Sequence, residues 1–174
     1  MSEAGEAIGF RTSNISCAEM TAETRSSAMT LLGAFLRGDE HYLASSQVYG
    51  DGGPEALARA LDLFLAHPEI GFVWLAFAGD GGERTAVGAC VVCHAISTSK
   101  GTLVAKLDDV TIGADWQGRG VGSAMLDALV ARLRSAGITR IDTACHRENA
   151  GAWRFYERHG FRSLDEERIA RVID

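Results

Sequence analysis

Residues 107–126 read LDDVTIGADWQGRGVGSAML: two acids, a strand-like run, a glycine-rich loop and an apolar stripe. The loop, Gln117 to Gly122, lies between a predicted strand ending at Ile112 and a predicted helix beginning near Val121. Glycine gives up more backbone entropy on folding than other residues. Its use at Gly118, Gly120 and Gly122 points to a conformation other residues resist, or to a ligand that must approach closely. At a helix start the first N–H groups lack intrahelical acceptors, and the macrodipole is positive. With Arg119 adding charge, the segment suits a bound pyrophosphate. Neither G-x-x-x-x-G-K-[ST] nor G-x-G-x-x-G is present.

Downstream, Val121, Met125, Leu126, Leu129, Val130 and Leu133 form one apolar side of a helix that Gly137 stops. A short strand over 138–145 leads to a helix over NAGAWRFYERHG, capped by Asn149 and stopped by Gly160. Upstream, strands over 72–78, 85–94 and 103–112 are separated by the turns GDGGE (79–83) and STSKG (97–101), which predicts an antiparallel meander. Their nearly continuous apolar content predicts cover on both faces.

Before the meander, a helix capped by Thr21 carries Met29, Leu32, Phe35 and Leu36 and ends at Gly38. A second opens at Pro54, carries Leu57, Leu61, Phe64 and Leu65, and ends before Pro68. The stretch 37–53 between them reads as a connector, residues 1–12 as a flexible tail, and FRSLDEERIARVID (161–174) as one or two closing strands. The fold class is a mixed α/β (α+β) sheet with helices on both faces, not a repeating βαβ series. A length of 174 residues predicts a single domain over 1–174.

A net charge of −6 argues against a general nucleic-acid binder. No apolar stretch is long enough to span a bilayer and the N-terminus has no signal core, so the expected location is cytoplasmic with no membrane partner. The four cysteines, Cys17, Cys90, Cys93 and Cys145, suit neither a disulfide framework nor a metal site. Cys90 and Cys93 lie three apart on one predicted strand and so point to opposite faces.

The stretch at 107–126 followed by NAGAWRFYERHGF resembles the GCN5-related N-acetyltransferase superfamily. Gln117, Gly120 and Gly122 fill its Q/R-x-x-G-x-G/A signature, and Asn149, Ala152, Phe155, Tyr156, Glu157, Arg158, Gly160 and Phe161 match its later motif. The resemblance covers residues 85–161. It implies a mostly antiparallel sheet splayed at its middle and holding acetyl-coenzyme A. The strand at Val110, Thr111 and Ile112 would pair with the pantetheine arm. Gln117, Gly118, Arg119, Gly120, Val121, Gly122 and Ser123 would hold the pyrophosphate, with Asn149, Ala152 and Tyr156 also at the cofactor. The GAD at 113–115 departs from the proline many members carry there.

The implied activity is acetyl transfer to a primary amine of a small cationic acceptor, by direct attack in a ternary complex. An amine is protonated at neutral pH, so a base must take its proton and an acid must protonate the departing thiolate. The resemblance makes Tyr156 the acid. Asp108 and Asp109 are the base candidates, because acids in an apolar strand are costly unless paired or hydrated. Alternation sends them to opposite faces unless a bulge re-aims one. Asp108 is favoured, on a face with Lys106, Val110 and Ile112, where charge pairing with Lys106 would make it a weaker base and a better cation clamp. His146 is a further proton relay candidate, and Asp39 and Tyr42 join Asp108, Asp109 and His146 as acceptor-site residues. Competing readings are a protein or peptide acetyltransferase and a non-catalytic acyl-coenzyme A sensor. The family also forms homodimers, although no segment specifies an interface.

Overall fold

The computed structural model describes residues 14–79, 84–164, 166 and 169–173. The expected tail at 1–12 and most of the GDGGE turn lie outside these. Strand β1 (Ile15–Glu19) comes first, followed by helices α1 (Arg25–Gly38), α2 (Glu40–Tyr49) and α3 (Gly53–Ala66). Strands β2 (Gly71–Ala78), β3 (Thr85–Ser97) and β4 (Thr102–Ile112) form the expected meander. A 3-10 turn (Ala114–Trp116), α4 (Val121–Ser135), β5 (Ile141–Thr143) and α5 (Ala150–Arg158) complete the order. The described strands make one sheet in the order β1-β2-β3-β4-β5. The first four are antiparallel, and β5 runs parallel to β4.

The sheet is covered on both faces, as its apolar content predicts. On one side Leu32 of α1 and Leu57 and Leu61 of α3 pack on Val73, Leu75 and Ala89. On the other, Val121, Met125, Leu129 and Leu133 of α4 and Tyr156 of α5 pack on Trp74, Val87, Val92 and Leu107. The buried Trp74 indole donates Nε1–H to the Met125 carbonyl at 3.2 Å, which fixes α4 along the sheet. All four cysteines are free, with Cys90 buried in the α4-side core and Cys93 half-buried.

Four expectations are corrected. Helix α1 starts at Arg25 and not at Thr21, because Thr21 and Thr24 close a turn on each other through Thr21 N–H to Thr24 Oγ1 at 2.8 Å. The stretch read as a connector contains α2, which Asp39 caps by accepting Tyr42 N–H at 2.8 Å. Its Leu43 and Val48 are exposed, so no apolar stripe announced it. The strand expected over 138–145 is confined to 141–143. The closing strands are absent among the described residues after 160. Four consecutive charged residues at 165–168 interrupt the alternation a closing strand needs, and Leu164, Ile169 and Ile173 stay exposed.

Candidate active site

The site begins with a fault in the β3–β4 register. Ala89 faces Thr111 and Val91 faces Asp108, so Asp109 and Val110 together oppose Cys90. This is a β-bulge, and its extra residue, Asp109, has φ 50°, the only positive φ among the described non-glycine residues. The bulge reverses the alternation of β4. Ala105 and Leu107 face α4 before it, whereas Val110 and Ile112 face the same core after it. Asp108 therefore shares a face with Lys106, at 2.8 Å between Nζ and Oδ2, but not with Val110 and Ile112 as alternation predicted. The bulge also brings Asp108, Asp109 and Val110 to one cleft.

Sheet divergence opens that cleft. Among the described residues, strand β5 pairs with β4 at Ala105, Lys106 and Leu107, and β4 continues to Ile112 past the last of these pairs. The resulting cleft, 410 Å³ in volume, is walled by α1 and α2 on one side and by the segment from Thr143 to Tyr156 on the other. Asp39, Tyr42, Asp108, Asp109, His146, Asn149, Ala152 and Tyr156 all line it, so the structure gathers these expected residues in one place. Sequence reading missed Phe35, Cys145 and Ile169 as lining residues. His41 of α2 stacks on His146 with ring centroids 4.9 Å apart and 26° between planes. Phe35 meets the Tyr42 ring at 5.8 Å. Phe35 belongs to the apolar stripe of α1, so its second role had no separate signal. His41 and His146 are brought together from distant chain positions by the fold alone.

Tyr156 is 8% exposed, and Thr143 lines the same cleft. Burial pushes its phenol up to about 12, against a smaller downward pull from the Thr143 side chain. It therefore keeps its proton throughout the neutral range. Asn149 caps α5 by accepting Ala152 N–H on Oδ1 at 2.9 Å.

At the other end of β4 the glycine loop approaches α4. Gly118 and Gly120 have φ 71° and 79°, and Gly120 is the left-handed residue that starts α4. A Cβ on Gly118 would meet nothing within 4 Å, so the loop presents open backbone. Gly122 differs: a Cβ there would lie 3.3 Å from Phe155, so its bareness lets α5 seat against α4. Gln117 donates Nε2–H to the Ile112 carbonyl at 3.1 Å and ties the loop to the end of β4. The Arg119 guanidinium lies over the Trp116 ring at 5.6 Å. Ser123 Oγ is 3.0 Å from His159 Nε2. Val121 is core, which leaves its N–H as its contribution to the loop. Thr111 is a register partner of Ala89 within the sheet.

The donor set fits a coenzyme A. The helix start offers N–H groups at Val121, Gly122 and Ser123 with no carbonyl to reach inside α4, beside open glycine backbone. Past the last β5 pair, the Val110–Ile112 stretch of β4 offers backbone groups to an amide-bearing arm.

Residues 38–161 match the Acetyltransferase (GNAT) family. An uncharacterized N-acetyltransferase of Methanocaldococcus jannaschii is 30% identical over 69 residues, which is 40% of this chain and 30% of that relative. The match thus spans less than a third of the relative's length. Among solved structures, a protein of Clostridium difficile 630 described as a possible acetyltransferase superposes with a TM-score of 0.75 at 11% identity, over 92% of this chain and 98% of its own. AAC(6')-Iy, solved with the bisubstrate analogue CoA-S-monomethyl-acetylneamine, gives a TM-score of 0.69 at 14% identity, over 92% and 99%. At such identities these two likenesses speak for the fold.

Proposed function

The chain belongs to the acetyltransferase (GNAT) family, and on that premise we propose that it acetylates a primary amine of a small cationic acceptor, using acetyl-coenzyme A by direct transfer in a ternary complex. The observation that carries this reading is the bulge at Asp109–Val110. It turns two carboxylates toward a cleft that Tyr156 also lines, where β4 parts from β5. Acetyl-coenzyme A, when bound, supplies an acetyl group activated as a thioester. The loop N–H groups from Gly118 to Ser123 would hold its pyrophosphate, and the β4 backbone around Val110 and Ile112 would hold its arm.

Asp39, Asp108 and Asp109 give the cleft its negative character and draw in an ammonium group. Asp108, with Asp109 beside it on the bulge, takes the proton that frees the amine nitrogen to attack. The Lys106 ion pair fixes the Asp108 carboxylate in place. The Val110 N–H provides hydrogen-bonding polarity for the charge that develops on oxygen. Tyr156 Oη would supply a proton to the thioester sulfur and regain one from the acylated nitrogen, which must lose its second proton. Supporting that role, its burial keeps the phenol protonated at working pH. The structural neighbour with a coenzyme A bisubstrate analogue supports the choice of donor.

Thiol release from acetyl-coenzyme A, measured against a panel of polyamines, aminoglycosides, amino acids and lysine peptides, tests the proposal. Turnover with small cationic amines is the expected result. Calorimetric binding of coenzyme A with no turnover on any amine would favour a non-catalytic sensor instead.

A further inference from the structure

Ser123 is the third residue of α4, in the turn proposed to hold the pyrophosphate, yet its hydroxyl is already engaged. Its Oγ lies 3.0 Å from Nε2 of His159, the C-cap residue of α5. The other ring nitrogen, Nδ1, is 3.8 Å from Asp127 Oδ1. Ser123 and Asp127 are four apart and so share one face of α4, which the imidazole spans. The ring also packs on Phe155, with centroids 4.7 Å apart, and Phe155 seats against Gly122. The His159 side chain is 15% exposed. One histidine thus clasps the end of the helix carrying Tyr156 onto the first turn of the helix at the glycine loop.

We propose that His159 is a positioning residue of the cofactor site, fixing the first turn of α4 through Ser123 and tightening its hold on a pyrophosphate when the imidazole is charged. The inference rests on the coenzyme A reading above. Asp127 is the carboxylate facing the ring from α4, and Phe155 faces it from α5; neighbouring Glu157 and Arg158 are exposed. A pyrophosphate at the helix start adds negative charge on the Ser123 side. Imidazolium is the form both anions favour. Linkage makes the effect reciprocal: a ligand that favours the protonated ring binds more tightly where the ring is protonated.

The test is calorimetric titration with 3′-dephospho-coenzyme A at about pH 5.5 and about pH 8, on either side of the ordinary imidazole range. This ligand keeps the pyrophosphate and lacks the phosphate monoester, whose second ionisation near pH 6 would confuse the comparison. The expected result is about fivefold tighter binding at the lower pH. His159→Gln preserves a donor to Ser123 Oγ but removes the charge, so its affinity should change less than about twofold over the same interval. Ser123→Ala should bind about fivefold more weakly at the lower pH and lose most of the slope, since the charged ring acts through that hydroxyl and one hydrogen bond contributes about 1 kcal/mol. In the wild-type protein, NMR should show His159 titrating at higher pH when the ligand saturates the site, a readout that survives any folding defect in the variants. Equal pH slopes in the wild type and His159→Gln, or a His159 titration unmoved by ligand, would overturn the inference and leave the coenzyme A reading standing. Absence of binding at both pH values would remove that reading and this one together.

Discussion

At Asp109 the backbone holds φ at 50°, a conformation that most L residues adopt at a cost of about 1–2 kcal/mol and that aspartate and asparagine tolerate best. The residue joins two roles, one in the chain path and one in cleft charge, and substitution separates them. Asp109→Asn should keep stability within about 0.5 kcal/mol in urea denaturation and raise KM for a cationic amine. Asp109→Val should lose about 1–2 kcal/mol, because a β-branched side chain resists this region; equal stability of the two variants would contradict the bulge geometry. Tyr156 separates in a different way. Tyr156→Phe should lower kcat about a hundredfold with coenzyme A affinity retained, the lower end of what a positioned acid supplies; full turnover would remove the tyrosine from the mechanism. Its burial also has a pH signature. The neutral phenol is favoured in the fold, so its stabilising contribution is complete below the ordinary value of 10 and lost as pH rises toward about 12. At about 1.4 kcal/mol per pH unit, the wild type should lose up to about 3 kcal/mol relative to Tyr156→Phe across that window in alkaline denaturation.

Helices α4 and α5 show which elements a sequence can announce. Both carry their own punctuation: an apolar stripe ending at Gly137 for α4, and an Asn149 cap with a stop at Gly160 for α5. Helix α2 has a cap at Asp39 but exposes Leu43 and Val48, so periodicity was silent about it. Strand β1 alternates Ile15 and Cys17 toward the core, but five residues are too few for that alternation to stand out in the sequence. The Asn149 cap gives a direct test. Its Oδ1 is committed to Ala152 N–H, so Asn149→Ala should lower stability by about 1 kcal/mol, read by thermal or urea unfolding. Coenzyme A affinity should then stay within about twofold, because the cap serves the helix. A tenfold loss of affinity at unchanged stability would instead make Asn149 a cofactor ligand.

Across the whole molecule, the segments we assign to the donor stood out because the glycine loop, β4 and the start of α4 are contiguous in the chain. The cleft we assign to the acceptor was legible only as residue types, since its walls come from α1, α2, the bulge and the segment after β5. The bulge illustrates the limit. A strict alternation of β4 puts Asp108 with Val110, and no residue between them signals the extra position that reverses it. What the fold assembles is a cleft with Asp39, Asp108 and Asp109 on a chain of net charge −6, so local and global charge have the same sign. Such a field draws a cation toward the cleft over distances comparable to the Debye length, about 30 Å at 0.01 M and about 8 Å at 0.15 M salt. For a polycationic amine, kcat/KM should therefore fall about three- to tenfold between those ionic strengths, mainly through KM. A zwitterionic amine of similar size should change less than about twofold, because its own charges cancel at long range. Steady-state thiol release measured across a salt series decides the matter, and a polyamine rate indifferent to salt would show that the acidic cleft does not recruit the acceptor by charge.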